Sequence, residues 1–215
     1  MDSISIVSAT WNEAENLPAL IPRIREAVKG LRHEIVIVDD SSPDGTYELA
    51  LKLADRAVVK RREGQSIALL TGIQEARYPI VVTMDADLEN DPSEIPKLLS
   101  KLKAGYDIVV AVRGRIPRFS ERLFSATIGK KIGVTDVLSN FRAMWRDKVV
   151  DIPLSRHETF GAEFLIRAYK KGLKIGQIPV KDVPRRPKPR IGGTLKANLR
   201  ILKALLITLT IWLTL

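Results

Sequence analysis

Five short apolar runs, separated by stretches of helical periodicity, constrain this chain more than any other feature. The runs are Ile4 to Ser8, Glu34 to Val38, Ala57 to Val59, Ile80 to Met84 and Asp107 to Val112. They are continuous rather than alternating, as expected of strands buried on both faces. Leu17 to Leu31, Tyr47 to Ala54, Ser66 to Ala76 and Pro92 to Leu102 read as the intervening helices. Such alternation predicts an α/β fold with a mostly parallel central sheet and helices on both faces. Ligands of these sheets bind beyond the carboxyl ends of the strands. Three of those ends are polar and acidic here: Thr10 to Glu13, Asp39 to Asp44 and Asp85 to Asp91. They are expected to meet at one sheet edge.

The second half has a different character. Arg113 to Lys131 is basic, loop-like and then helical. Thr159 to Lys171 reads as a helix, Leu173 to Val180 as a strand and Pro184 to Gly193 as a loop. Thr194 to Leu215 reads as a final helix. With 35 Lys and Arg against 25 Asp and Glu, the net charge is +10. That surplus attracts phosphorylated substrates, anionic lipid or nucleic acid. Nucleic-acid binding would call for stacking aromatics among the cations, and Phe119 and Phe124 alone qualify. It is therefore the least favoured reading. The chain has no cysteine, which excludes disulfides and thiolate metal sites. Two histidines, His33 and His157, are too few for a histidine-rich centre. A metal would be held by carboxylates, which favours Mg²⁺ or Mn²⁺.

Asp85 and Asp87 are two residues apart at a strand end, so both can face one crevice, with Glu89 near them. Carboxylates so close repel unless a cation relieves them. The alternative is a solvated acidic turn. The neighbouring ends at Glu13 and Asp39-Asp40 favour the cation. Receiver-type and haloacid-type phosphotransfer sites fit poorly, because their acidic groups follow the first strand.

The segments Ala9 to Pro18, Val38 to Thr46 and Met84 to Glu89 resemble three successive signatures of family 2 glycosyltransferases. Asp136 to Ala143, Phe160 to Phe164 and Arg190 to Lys196 continue the resemblance in the same order, nearest to the branch that charges polyprenyl phosphates. The resemblance implies a GT-A fold, with a Rossmann-like nucleotide-sugar-binding half. It implies inverting transfer of mannose from GDP-mannose to dolichyl or another polyprenyl phosphate. UDP-glucose is the alternative donor. Ala9, Thr10, Trp11, Glu13, Val38, Asp40, Asp85 and Ala86 would bind the nucleotide sugar. Asp85 and Asp87 would be catalytic, and Asp87 and Glu89 would hold Mg²⁺ or Mn²⁺. This chain departs from the family at Ala9 (Pro), Trp11 (Tyr), Glu89 (Gln), Asn140 (Gly) and the 61–66 stretch.

Arginine binds phosphate through paired, charge-assisted hydrogen bonds. Arg113, Arg115, Arg118 and Arg122 lie close in sequence, with Arg142 and Arg190 further on. By the resemblance, Arg113, Arg122, Ser125, Arg142, Arg190 and Lys196 would bind the acceptor phosphate. An ionised phosphate needs no general base. A sugar hydroxyl would, and Glu163 is the candidate for it.

In the last helix, Lys196, Arg200 and Lys203 share one face and Leu195, Leu199, Leu202 and Leu206 another. No charge falls between Ala204 and Leu215. This predicts an amphipathic membrane-interface helix over 194–215, following a catalytic domain over 1–193. Trp212 suits the headgroup region. The resemblance adds a possible small membrane subunit. The start of the chain lacks a basic region followed by an apolar stretch, so no signal peptide is expected. The expected location is the cytoplasmic face of a membrane.

Overall fold

The structure is a computed structural model that describes residues 3–114, 116, 118–155, 158–159, 161–181, 183 and 194–215. Arg115, His157, Phe160 and the 190–193 segment, singled out above, lie outside the described residues.

Seven strands form one sheet: β1 (Ser3–Thr10), β2 (Arg32–Asp39), β3 (Arg56–Val59), β4 (Ile80–Thr83), β5 (Ile108–Arg113), β6 (Arg142–Trp145) and β7 (Ile175–Val180). Their order is β3–β2–β1–β4–β6–β5–β7. All pairs are parallel except those of β6, which runs antiparallel to both β4 and β5. The expected sheet is therefore present. The strand β6 was not expected. Its four residues are too short for a period to show, and an arginine opens them.

The helices are α1 (Leu17–Ala27), α2 (Thr46–Leu53), α3 (Gln65–Glu75), α4 (Ile95–Lys103), α5 (Phe119–Phe124), α6 (Lys130–Ile132), α7 (Arg146–Val149), α8 (Ala162–Lys170) and α9 (Thr194–Thr214). The predicted helix at Pro92 starts as one 3₁₀ turn, Pro92–Glu94, because the Asp91 side chain accepts from Ser93 N at 3.0 Å. A π-helical turn, Ser125–Gly129, follows α5.

Alternate strand residues feed two cores. Ile4, Ile6, Ile35, Ile37 and Val82 pack with α1 and α4 on one face. Val7, Val36, Val38 and Val81 pack with α3, α8 and α9 on the other. Gly72 on α3 sits where a side chain would collide with Val7 of β1. Its lack of a Cβ lets α3 lie close to the strands, which places the start of α3 at their carboxyl ends. Helix α9 buries Ala197, Ile201, Ala204, Leu205 and Thr208. It turns Leu195, Leu199, Leu206 and Leu213 outward.

Candidate active site

The carboxyl ends of β1, β2 and β4 lie along one edge, and their loops are tied together. Asn12 N donates to Ser42 Oγ at 2.9 Å, Glu13 N to Thr46 Oγ1 at 2.9 Å, and Ala14 N to Asp44 Oδ2 at 3.2 Å. Each of these three loops holds one non-glycine residue in the left-handed region: Asn12 (φ 59°), Ser41 (φ 63°) and Leu88 (φ 65°). Such backbone is uncommon and collects at functional loops. Asp39 and Asp40 divide the work at the end of β2. Asp39 accepts from Thr10 Oγ1, from Ser42 Oγ and from Ser42 N, so it shapes its own loop. Asp40 reaches across to the loop before α3. It accepts from Glu63 N at 2.9 Å and Gly64 N at 2.8 Å, with Lys60 Nζ at 3.3 Å.

That loop is the bridge the sequence reading missed. It ends at Gln65, whose side-chain amide donates to Asp85 Oδ1 at 2.6 Å. The loop therefore joins Asp40 to Asp85. Its Arg62 guanidinium lies 3.9 Å over the Trp11 ring, and Trp11 is exposed at this edge. The available signal was Gly64, with φ 94°, just before a helix start.

Beyond β4, Asp85 N donates to Asn90 Oδ1 and Glu89 N to Asp87 Oδ1, each at 3.0 Å. The turn therefore gathers three acidic residues. Burial, then the charge of Asp87 and in smaller part of Glu89, pushes the Asp85 carboxyl up to about 7, against the opposing pull of Arg142 and Arg113. These two arginines come from β6 and the end of β5. The unexpected antiparallel strand is what delivers one of them.

The arginines are held differently. Arg142 is buried and donates to the carbonyls of Ser139, Val137 and Gly161. Burial lowers its pKa to about 10, against the pull of Asp85 and Asp136. Arg113 is half-buried and pairs with Asp136 at 2.7 Å and Glu121 at 3.2 Å. Burial would lower its pKa, but the hydrogen bond and charge of Asp136, then Glu121 and Asp85, hold it above the usual arginine range. Arg118 also pairs with Glu121, at 2.6 Å. Arg122 and Lys196 are exposed. Ser125 Oγ donates to Thr135 O at the start of the π turn. Ser120 Oγ donates to Asn198 Oδ1 at 2.6 Å, tying α5 to α9.

The predicted residues thus fall into two groups. Ala9, Thr10, Trp11, Glu13, Val38, Asp40, Asp85, Ala86, Asp87 and Glu89 share the strand edge. Arg113 and Arg142 flank Asp85, while Arg122, Ser125 and Lys196 lie on α5, the π turn and α9. Among the described residues, no three acidic or imidazole side chains form a ready-made metal cage. Glu163 is buried with both oxygens engaged, by Ser155 N, Ser155 Oγ and Arg167 Nε.

The acidic strand edge, the Asp85 turn and the two flanking arginines all lie within one stretch, residues 5–148. Residues 5–148 match the model of Glycosyl transferase family 2, and the chain belongs to that family. Among its relatives is a dolichol-phosphate mannosyltransferase of Pyrococcus furiosus, 34% identical over 82% of this chain and 55% of its own length. An undecaprenyl-phosphate 4-deoxy-4-formamido-L-arabinose transferase of Pseudomonas fluorescens is 33% identical over 72% of this chain and 50% of its own length. The chain thus spans about half the length of these relatives. Glucosyl-3-phosphoglycerate synthase from Mycobacterium tuberculosis, solved with Mn²⁺, UDP and glucosyl-3-phosphoglycerate, superposes with a TM-score of 0.78. That match covers 96% of this chain and 80% of the other at 24% identity, and it shows the GT-A fold.

Proposed function

We propose that this chain is the catalytic part of an inverting glycosyltransferase that moves a hexose from a nucleotide sugar to a polyprenyl phosphate. The observation that carries this reading is Asp85 itself, set between an acidic turn and two arginines. Donor chemistry needs the first side and a phosphate acceptor the second. The two curated relatives are named for different sugars but both for polyprenyl phosphates. The acceptor class is therefore better supported than the sugar. We take mannose from GDP-mannose as the leading donor and UDP-glucose as the second.

In this reading the nucleotide lies along Ala9, Thr10, Trp11, Glu13, Val38 and Asp40. The exposed Trp11 face offers a stacking surface for the base. The acidic set fits a hard divalent cation. The Asp85 carboxyl is raised to about 7 by burial and by neighbouring carboxylate charge, which is the imbalance a cation relieves. Asp87 and Glu89 would hold Mg²⁺ or Mn²⁺, and a fold neighbour was crystallised with Mn²⁺ and UDP. When bound, such a cation offsets the charge that develops on the departing nucleoside diphosphate. Two carboxylates suffice when substrate phosphates supply further ligands. Gln65 orients Asp85 through its 2.6 Å hydrogen bond.

Arg113, Arg122, Ser125, Arg142, Arg190 and Lys196 are assigned to the acceptor phosphate. A phosphate monoester has its second pKa near ~6, so it attacks already ionised. No base is required. The engaged state of Glu163 supports this over transfer to a sugar hydroxyl, because that carboxylate already spends both oxygens inside the protein. Its role here is to anchor the loop at Ser155.

Residues 1–193 form the catalytic domain in this proposal, and 194–215 a membrane-associating helix at the cytoplasmic face. Leu195–Thr214 is long and apolar enough to cross a membrane by length and composition. Its inner face is buried against the domain. That favours a helix lying on the surface, with its exposed leucines in the lipid and Lys196, Arg200 and Lys203 towards headgroups. A small membrane subunit is a further candidate partner.

The test is an incubation of the protein with polyprenyl phosphate and labelled GDP-mannose or UDP-glucose, with Mg²⁺, with Mn²⁺ and with a chelator. Label should enter the organic phase with one donor and only when metal is present. Absence of transfer to any lipid phosphate overturns the acceptor assignment.

A further inference from the structure

Two residues that the assignments above leave unused, Glu121 and Asn198, fix the acceptor side in place. Arg113 binds two carboxylates through one part of its guanidinium. Its Nε donates to Asp136 Oδ2 at 2.7 Å, and its Nη2 to Asp136 Oδ1 at 3.1 Å and to Glu121 Oε2 at 3.2 Å. Nε and Nη2 are thereby spent, while Nη1 has no hydrogen bond among the described residues. A guanidinium holds its N–H groups in a planar, rigid fork, so clamping Nε and Nη2 sets the direction of Nη1. The clamped arginine is held beside the proposed reaction centre, since Asp85 and Arg113 act on one another's charge.

Glu121 is the part of this clamp that comes from a helix. It lies on α5 and is buried, and its other oxygen accepts from Arg118 Nη1 at 2.6 Å. The same helix carries Arg122 and leads directly into Ser125. The seat of α5 therefore governs three groups assigned to the acceptor: Arg113 through Glu121, then Arg122 and Ser125. That seat is provided by α9, which packs against α5. Ser120, next to Glu121, is fully buried and donates to Asn198 Oδ1 of α9 at 2.6 Å. Asn198 adjoins Ala197, on the face of α9 that is buried in the domain.

We infer that Glu121 is a positioning residue for the acceptor phosphate and that Asn198 of α9 holds the helix that carries it: together they aim Nη1 of Arg113. This rests on the acceptor reading proposed above. It adds that α9 helps to build the acceptor site, besides the membrane role given to it there. A small misplacement of a binding group is costly, because the attacking phosphate must be held in line with the donor.

The test compares polyprenyl phosphate dispersed in detergent with the same lipid in vesicles. Glu121→Gln should raise KM for the dispersed lipid about tenfold, the loss of one hydrogen bond to a charged group, with KM for the nucleotide sugar unchanged. In an Arg113→Gln background the same change should add nothing, because the group that it positions is gone. Asn198→Ala should raise KM for the dispersed lipid about threefold, and Asn198→Asp, which keeps the acceptor oxygen, should restore it. Losses that add to those of Arg113→Gln, or that fall equally on both substrates, overturn the inference in favour of a packing role. An Asn198→Ala effect confined to vesicles also overturns it and leaves α9 as an anchor alone. If Glu121→Gln does not fold, Ser120→Ala and Asn198→Ala carry the test: the double variant must be no worse than either, and additive losses sink the idea. A wild type that transfers sugar to neither form of the lipid overturns the acceptor reading itself, which separates the two failures.

Discussion

The donor edge and the acceptor side of this molecule are built by opposite means. At the proposed donor edge, short loops are stitched to one another by backbone amides donating to side-chain oxygens, and the carboxylates of Asp39, Asp40 and Asp44 each have defined partners. Asp39 holds its own turn and Asp40 holds the next loop. On the acceptor side, Arg113 is locked by Asp136 and Glu121, whereas Arg122 and Lys196 project from helices into solvent. Under the proposed function, the contrast means that a rigid scaffold positions the reacting group while a looser basic surface is left to receive the second substrate. It also separates residues whose loss should damage chemistry from those whose loss should damage stability or affinity.

The largest effect is expected at the acidic turn. Asp87→Ala should reduce kcat about a thousandfold, the size of several kcal/mol of transition-state charge stabilisation. Its melting temperature should stay near wild type, because Asp87 itself is partly exposed and belongs to neither apolar core, unlike its neighbours Ala86 and Leu88. Full metal-dependent activity in this variant would break the assignment of Asp87 to the cation.

Arg113 and Arg122 sharpen the comparison within the acceptor side. Arg113→Gln leaves Asp136 and Glu121, both buried, with a lost cation. Breaking such a pair from one side costs about 3 kcal/mol, so thermal denaturation should show a clear drop together with the activity. Arg122→Gln should leave the melting curve unmoved and raise KM for polyprenyl phosphate about tenfold, with KM for the nucleotide sugar unchanged. Equal stability losses in the two variants would erase the distinction drawn here.

Asp40→Ala addresses the donor edge in the same terms. It leaves the Glu63 and Gly64 amides without their acceptor and releases the loop that carries Arg62 and Gln65. The cost in stability should be about 1–3 kcal/mol. KM for the nucleotide sugar should rise more than KM for the lipid. A variant that loses affinity for the lipid alone would contradict the role of this loop.

These differences follow what was legible in the sequence. The strands β1 and β2 are long buried runs and β4 is a short but wholly apolar one continued by Met84, so hydropathy alone located them, and the acidic loops followed at their ends. The Asp85 turn was visible because two carboxylates two apart at a strand end carry a chemical penalty wherever they occur. Gln65 was not visible, because one glutamine at a helix start has no pattern, and its meaning depends on how near α3 comes to β4. The strand β6 was hidden because its four residues open on an arginine and form no unbroken apolar run like that of the equally short β4, and with it was hidden the approach of Arg142 to Asp85. The pairing of Arg113 with Asp136 spans 23 residues and needs the fold before it can be read. Sequence spacing separated the cations of α9 from its outward leucines but did not single out the face that packs on the domain, which is Ala197, Ile201, Ala204, Leu205 and Thr208. It did not show that Trp212 stacks on Tyr169 at 5.6 Å, with Lys131 and Lys170 each 4.9 Å from its ring. That tryptophan is engaged within the protein.

The smallest catalytic effect should come from α9, where the basic surface meets the exposed leucines. Leu199→Ser with Leu206→Ser removes two outward side chains that make no part of the core. Stability should change by no more than about 0.5 kcal/mol per site, as for surface positions generally. Activity on detergent-dispersed acceptor should be close to wild type. Binding to vesicles of anionic phospholipid should fall, since each fully buried leucine is worth about 1.5–3 kcal/mol of apolar transfer, and flotation with the vesicles reads this directly. Undiminished flotation would remove the lipid role from this face of α9, and a loss of stability would place the leucines in the domain's own packing.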